Sequence, residues 1–346
     1  MGYPCSAFRA GIIKMDPEID RVKPLAPIDE AGWVYSSGMM IGAVDKKWVG
    51  AYSLKRRKFE WWYKLEEPLV APITTLGSWV VLGERNGKVV KVETLSGKKT
   101  WEVNLGRYVS RPFVLAGSVL LCVTIDQKMF AVDFQSGRTL WVYDAGATSA
   151  LIVSGAASPN VSENVVYLGT PEGSIHAVSL SSGTKIWEYN PKFSDFRFHE
   201  IVGETVVANK KLLLSRYDGI VASIRISENL REIDWEKKLP SITTSAFHAG
   251  IYYVGGLNGN VYALDSATGK ELWNTPTFET VKSITVGEKV AYIGGAEGRI
   301  TAINLFDGKP IWFDDIDGTI NKRPIVFDNY VLFGTGLKVF YAYKIK

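Results

Sequence analysis

Apolar and polar residues alternate along this chain in short runs, and glycine punctuates the runs. The stretch from Asn258 to Trp273 shows the pattern most clearly. An Asn258-Gly259 turn precedes Val261-Tyr262-Ala263-Leu264, and a Thr268-Gly269 turn then leads to a segment ending in Trp273. Short runs of this kind predict strands, and Asn-Gly between two of them predicts a tight hairpin, because glycine supplies the positive φ that the turn needs. Both faces of Val261–Leu264 are apolar, as expected of a strand packed between two neighbours.

The same unit recurs through most of the chain. Its closing tryptophans are Trp61, Trp101, Trp141, Trp187, Trp235, Trp273 and Trp312, at separations of 40, 40, 46, 48, 38 and 39 residues. A period near 40 with about four short strands per unit predicts the blades of a β-propeller. In five units a glycine stands four residues before the tryptophan: Gly97, Gly137, Gly183, Gly269 and Gly308. The first unit reads as strands at 32–35, 39–44, 48–54 and 59–63. An eighth unit supplies 324–327, 330–333 and 338–343, then lacks an outer strand and a tryptophan. An open last blade would expose a strand edge, and Ala10–Lys14 is the spare strand that can cover it. The expectation is an all-β, eight-bladed β-propeller closed by an N-terminal strand, or seven blades if the C-terminal unit is not one of them. Residues 1–28, broken by Pro4, Pro17, Pro24 and Pro27, read as a leader, and 29–346 as a single propeller domain.

Two units depart from the pattern. The first has Lys55-Arg56-Arg57-Lys58 in place of the Ser/Thr-Gly turn, and the fifth has Ser227-Glu228-Asn229-Leu230-Arg231. These two are expected to seat their tryptophans less regularly. An insertion from Tyr189 to Glu200, rich in phenylalanine (Phe193, Phe196, Phe198), separates the fourth and fifth units.

The repeat is specific enough to suggest a family. Tyr262-Ala263-Leu264-Asp265 with Thr268-Gly269-Lys270 and Trp273 resembles the tryptophan-docking repeat of pyrroloquinoline-quinone (PQQ) type propellers. Phe130-Ala131-Val132-Asp133 with Ser136-Gly137-Arg138 and Trp141 matches nearly as well, and the units ending in Trp187 and Trp312 are looser copies. The resemblance covers roughly residues 32–346. It implies tryptophans wedged between adjacent blades as a structural girdle, with small Ala and Gly residues making room for each indole. Among proteins with such repeats, the chain is similar to the outer-membrane assembly propellers, which implies a non-catalytic scaffold for protein–protein interaction. The PQQ dehydrogenases share the repeat, but their adjacent cysteines are missing and their catalytic Asp and metal ligands have no counterpart that can be placed here.

Composition narrows the chemistry. The chain has 40 basic and 36 acidic residues, a net charge of +4, far from the dense basic surface of a dedicated nucleic-acid binder. Two cysteines, Cys5 and Cys122, and three scattered histidines give no metal-ligand spacing. No cofactor is expected. Asp133 and Asp265 read as turn residues rather than as catalytic acids. The segments before the innermost strands carry Arg111, Lys282, Lys322 and Arg323, and the insertion adds Arg197 and His199. Cations gathered at one mouth of a propeller would attract an anionic surface, first of all an acidic protein partner, with RNA or another polyanion as the alternative. His176 and His248 read as ordinary strand or loop residues. Ala10–Ile13 is too short and too soon interrupted to be a secretory signal core, so the default location is cytoplasmic, or periplasmic if a signal preceded the given sequence.

Overall fold

A computed structural model describes residues 9–13, 32–44, 46–56, 58–146, 158–190, 200–226, 231–320, 322–327, 330–335 and 340–344. These residues form eight four-stranded antiparallel sheets and no helix. The chain divides into two compact units with four sheets in each.

One unit comprises Ile19–Leu151 and Gly155–Tyr189. Its first sheet is Trp33–Ser36, Met39–Val44, Trp48–Ser53 and Lys58–Lys64, each strand paired with the next, close to the bounds expected from sequence. Its outermost strands in the next three sheets are Lys99–Asn104, Thr139–Asp144 and Lys185–Tyr189. Apolar clusters lie between consecutive sheets. Ile41, Val49 and Ala51 of the first meet Val80, Leu82 and Val90 of the second. Further cores join the second to the third and the third to the fourth.

The other unit comprises Met1–Glu18, Ile152–Ser154 and Asn190–Lys346. Its sheets begin at Ile201–Ala208, Ile242–His248, Val281–Val286 and Ile325–Phe327, and its cores again lie between consecutive sheets. The eighth sheet takes its fourth strand from the N-terminus. Arg9–Ile13 pairs antiparallel with Phe340–Lys344, matching Arg9 with Tyr343 and Ile13 with Phe340.

The tryptophans explain the repeat. In seven sheets the outer strand carries a bulge beside its tryptophan, and the residue opposite the indole is small in six of them: Ala51, Ala131, Ala177, Ser223, Ala263 and Ala302. The indole N–H then donates to a backbone carbonyl of the following sheet. Trp61 donates to Thr94 (2.8 Å), Trp101 to Phe134 (3.0 Å), Trp141 to Leu180 (2.9 Å), Trp235 to Ser266 (3.1 Å) and Trp273 to Leu305 (3.1 Å). Lys91 is the exception among the residues opposite. Its ammonium runs between the rings of Trp79 and Phe134, at 4.1 and 4.0 Å from their centroids, and donates to the carbonyl that Trp101 also uses.

The glycine of each Ser/Thr-Gly turn lies against the tryptophan of the preceding sheet. A Cβ on Gly97 would sit 2.5 Å from the Trp61 ring, and one on Gly137 2.7 Å from Trp101. Both glycines also hold a positive φ, of 67° and 77°. The expectation that the first and fifth units seat their own tryptophans poorly is therefore corrected. Trp61 and Trp235 dock like the others, because the glycine that receives each one belongs to the next unit. A Gly137→Ala variant combines left-handed strain with a ring clash and is expected to lose about 2–4 kcal/mol of unfolding free energy. Urea unfolding would measure it.

Asp133 and Asp265 close the same turns. Oδ1 of Asp133 accepts from the Ser136 amide (2.7 Å) and hydroxyl, and Asp265 does the same with Thr268. These hydrogen bonds, the side-chain ones first, hold both carboxyls below the usual carboxylate range. They are turn residues, as the sequence suggested.

Candidate functional site

The candidate cations fall into different settings. In the unit ending at Tyr189, Arg111 precedes its innermost strand, which starts at Val114. Its side chain is enclosed, only 1% exposed. Nη1 donates to the Gly169 carbonyl (3.0 Å) and Nη2 to Oε1 of Gln127 (2.7 Å). Gln127 is itself buried, at a positive φ of 63°, in the turn between the two central strands of its sheet. Arg111 thus ties the third sheet to the end of Val165–Gly169 in the fourth.

In the other unit, Arg323 is exposed and Nη2 donates to the Ser245 carbonyl at 3.2 Å. It reaches from the eighth sheet to the innermost strand of the sixth. Lys322 is half-buried. Lys282 is exposed, where the pairing of Val281–Val286 with Val290–Gly295 shifts register between Val281 and Ser283. Arg197 and His199 lie outside the described residues, as does most of the phenylalanine-rich insertion.

Sequence reasoning missed the polar cluster behind Arg323. Gly203 and Glu204 interrupt the pairing of Ile201–Ala208 with Lys211–Arg216, and three hydroxyls fix that bulge. The Tyr252 hydroxyl donates to the Glu204 carbonyl (2.7 Å) and lies 3.0 Å from the Ser245 hydroxyl and 3.2 Å from that of Ser215. The Glu204 amide donates to Ser245 Oγ (2.7 Å), and the Glu204 carboxylate accepts from the Phe247 amide (3.3 Å). Burial pushes the Tyr252 phenol up to about 12, so it stays protonated and acts as a clamp. The contributors come from four strands of two sheets, and no local pattern marks them. The consequence for recognition is that an innermost strand of this unit carries a carboxylate, Glu204, as another carries the cation Lys282.

Among the described residues, the histidines and the cysteine stand apart from one another. His176 is buried, with Nδ1 2.9 Å from the Tyr143 hydroxyl and Nε2 3.5 Å from the Glu188 carboxylate, and burial holds its pKa below the usual value. His248 lines a cleft of about 410 Å³ with Tyr253, Glu288, Lys289 and Phe306. Cys122 is a buried thiol whose pKa burial raises, and Cys5 lies outside the described residues. Among the described residues no three His, Cys, Asp or Glu side chains gather as a metal site would require. No helix among the described residues is long and apolar enough to cross a membrane.

Repeated four-stranded sheets, tied by an indole from one sheet on a glycine of the next, define a β-propeller of the PQQ-like repeat type. A crystal structure of BamB from Moraxella catarrhalis shares this fold, with a TM-score of 0.77 and 21% identity, covering 94% of this chain and 100% of that one. The family model described as outer membrane protein assembly factor BamB matches residues 45–275 and 257–346, and the chain belongs to that family. The outer membrane protein assembly factor BamB of Yersinia pestis is 26% identical over 213 residues, 58% of this chain and 52% of that protein. The chain spans about half the length of the curated relatives it matches. A quinohemoprotein alcohol dehydrogenase of Comamonas testosteroni is 27% identical over 147 residues, 42% of this chain but 15% of that enzyme. The cytoplasmic location expected from sequence is corrected by the family, which is described by its work on the outer membrane. The short apolar stretch near the N-terminus was not a guide to location.

Proposed function

We propose that this chain is a non-catalytic scaffold that binds a protein partner in outer-membrane protein assembly, on the periplasmic side of that membrane. Family membership over residues 45–275 and 257–346 carries the reading. Within it, Lys282, Lys322 and Arg323 are the partner-facing cations, joined by Arg197 and His199 of the insertion. Arg111 is set apart from them, because Gln127 and Gly169 already engage its guanidinium.

Affinity purification from solubilised envelopes, with nuclease treatment, tests the reading. The comparison variant combines Lys282→Glu, Lys322→Glu and Arg323→Glu. A defined protein is expected to accompany the wild type and to be lost from the variant, with the thermal midpoint unchanged within a degree or two. Retention of that protein by the variant would remove the cations from the site. Material released by nuclease, with affinity falling steeply as salt rises, would favour a polyanion instead. The partial likeness to a quinohemoprotein dehydrogenase gives a second reading, an oxidoreductase. Stoichiometric uptake of PQQ with Ca²⁺ by the purified chain would favour it over the scaffold.

A further inference from the structure

Phe278 stands where folding alone gives little reason for a phenylalanine. It lies between the outermost strand of the sixth sheet, Glu271–Pro276, and the innermost of the seventh, Val281–Val286. Its φ is +65°, in the left-handed region that large side chains rarely adopt, and its side chain is 79% exposed. A backbone strain of about 1–2 kcal/mol is thus borne by a ring that returns little burial.

The neighbours hold that strain in place. The Thr277 amide and hydroxyl both donate to the Gly259 carbonyl, at 2.7 and 2.8 Å. The Thr280 hydroxyl donates to the Leu257 carbonyl (2.9 Å), and the Ala296 amide donates to the carbonyl of Thr280 (3.0 Å). Oε2 of Glu279 accepts from the amides of Glu297 (2.8 Å) and Arg299 (3.2 Å). Both flanks of Phe278 are anchored, so the ring is presented in one place.

Around it lies a small composite surface. The Arg299 guanidinium sits 5.9 Å from the Phe278 ring and 5.1 Å from that of Phe313, which is 61% exposed. Asp315 grips the same guanidinium through two 2.8 Å hydrogen bonds. With Arg299 neutralised by Asp315, Glu279, Glu297 and the exposed Asp317 leave the rim acidic, on a chain whose net charge is +4. The next basic residue along the chain is Lys282, already on the inner strand.

We propose that Phe278, Phe313 and the aliphatic part of Arg299 form a pre-organised docking surface for a linear segment of a partner protein, one that carries a large apolar side chain flanked by lysine or arginine. The apolar residue packs on the two rings, and its basic neighbours meet Glu279, Glu297 and Asp317. Rigid aromatic anchors of this kind dominate many interfaces, and an ordered loop costs little further entropy on binding. The inference rests on the scaffold reading for the existence of a protein partner, and it adds that partner's chemistry and a surface distinct from the inner cations.

The test uses the purified full chain and the fluorescein-labelled peptide Gly-Lys-Lys-Leu-Lys-Lys-Gly, read by anisotropy. Glycine accepts the backbone of Phe278 better than phenylalanine does, so Phe278→Gly removes the ring without adding strain. It is expected to weaken peptide binding about tenfold or more while leaving the thermal midpoint equal or higher. Phe313→Ser is expected to weaken binding as well. The peptide with glutamate in place of lysine, and the one with serine in place of leucine, are expected to bind poorly. Undiminished binding by Phe278→Gly would overturn the proposal, as would equal binding of the acidic peptide. A lower midpoint in Phe278→Gly would also overturn it, by giving the ring a folding role. Partner loss on changing Lys282, Lys322 and Arg323, without peptide binding, would leave the scaffold reading standing and remove this surface. Peptide binding with no partner recovered from envelopes would do the reverse.

Discussion

Replacing Trp61 by alanine is expected to lower the unfolding free energy by about 3–5 kcal/mol. The indole is only 7% exposed, packs on Gly97 of the next sheet and donates a 2.8 Å hydrogen bond to the Thr94 carbonyl. Alanine therefore leaves a cavity between two sheets and takes the donor from a carbonyl of the neighbouring one. The effect should exceed that of Trp312→Ala, whose ring meets Tyr343 at 4.6 Å and is more exposed. Chemical denaturation with fluorescence and circular dichroism would measure both. A loss below about 1 kcal/mol for Trp61→Ala would show that the indole is not a wedge between sheets.

Arg111→Ala is the second large effect, expected at about 3–5 kcal/mol. The guanidinium is buried, and two of its donors satisfy the Gln127 side chain and the Gly169 carbonyl. Alanine deprives both acceptors of those donors in a site that water enters poorly. Arg323→Ala should change stability by less than about 0.5 kcal/mol, because its side chain is exposed and holds one carbonyl at 3.2 Å. Equal unfolding midpoints for the two variants would refute the distinction. It also bears on any binding experiment, since a substitution at Arg111 would report folding before it reported recognition.

The two residues show why the sequence was an uneven guide. Arg111 and Arg323 look alike in the chain, each a cation shortly before an innermost strand. What separates them is whether a neighbouring sheet closes over the guanidinium, and that depends on residues far along the chain: Gly169 for one and Ser245 for the other. The turn glycines were legible but were assigned to the wrong tryptophan. Spacing along the chain joins Gly97 to Trp101, whereas packing joins it to Trp61. Phe278 carried no signal at all, since nothing in Thr277-Phe278-Glu279-Thr280 announces a positive φ. Gly259, Leu257 and Ala296 impose it from two separate hairpins.

By itself the sequence determined the all-β class, the forty-residue unit, the turn chemistry of Asp133 and Asp265, and a closing N-terminal strand, expected at Ala10–Lys14 and found at Arg9–Ile13. These are local matters. A turn is set by a few adjacent residues, a strand by alternation along its own length, and a repeat by comparing the chain with itself. The tertiary structure alone decided which cation is enclosed, which glycine receives which indole, how Glu204 and Tyr252 are joined, and that an exposed phenylalanine is held under strain. Each of these depends on groups brought together from distant sheets, where burial and partner geometry fix the energy and spacing along the chain does not.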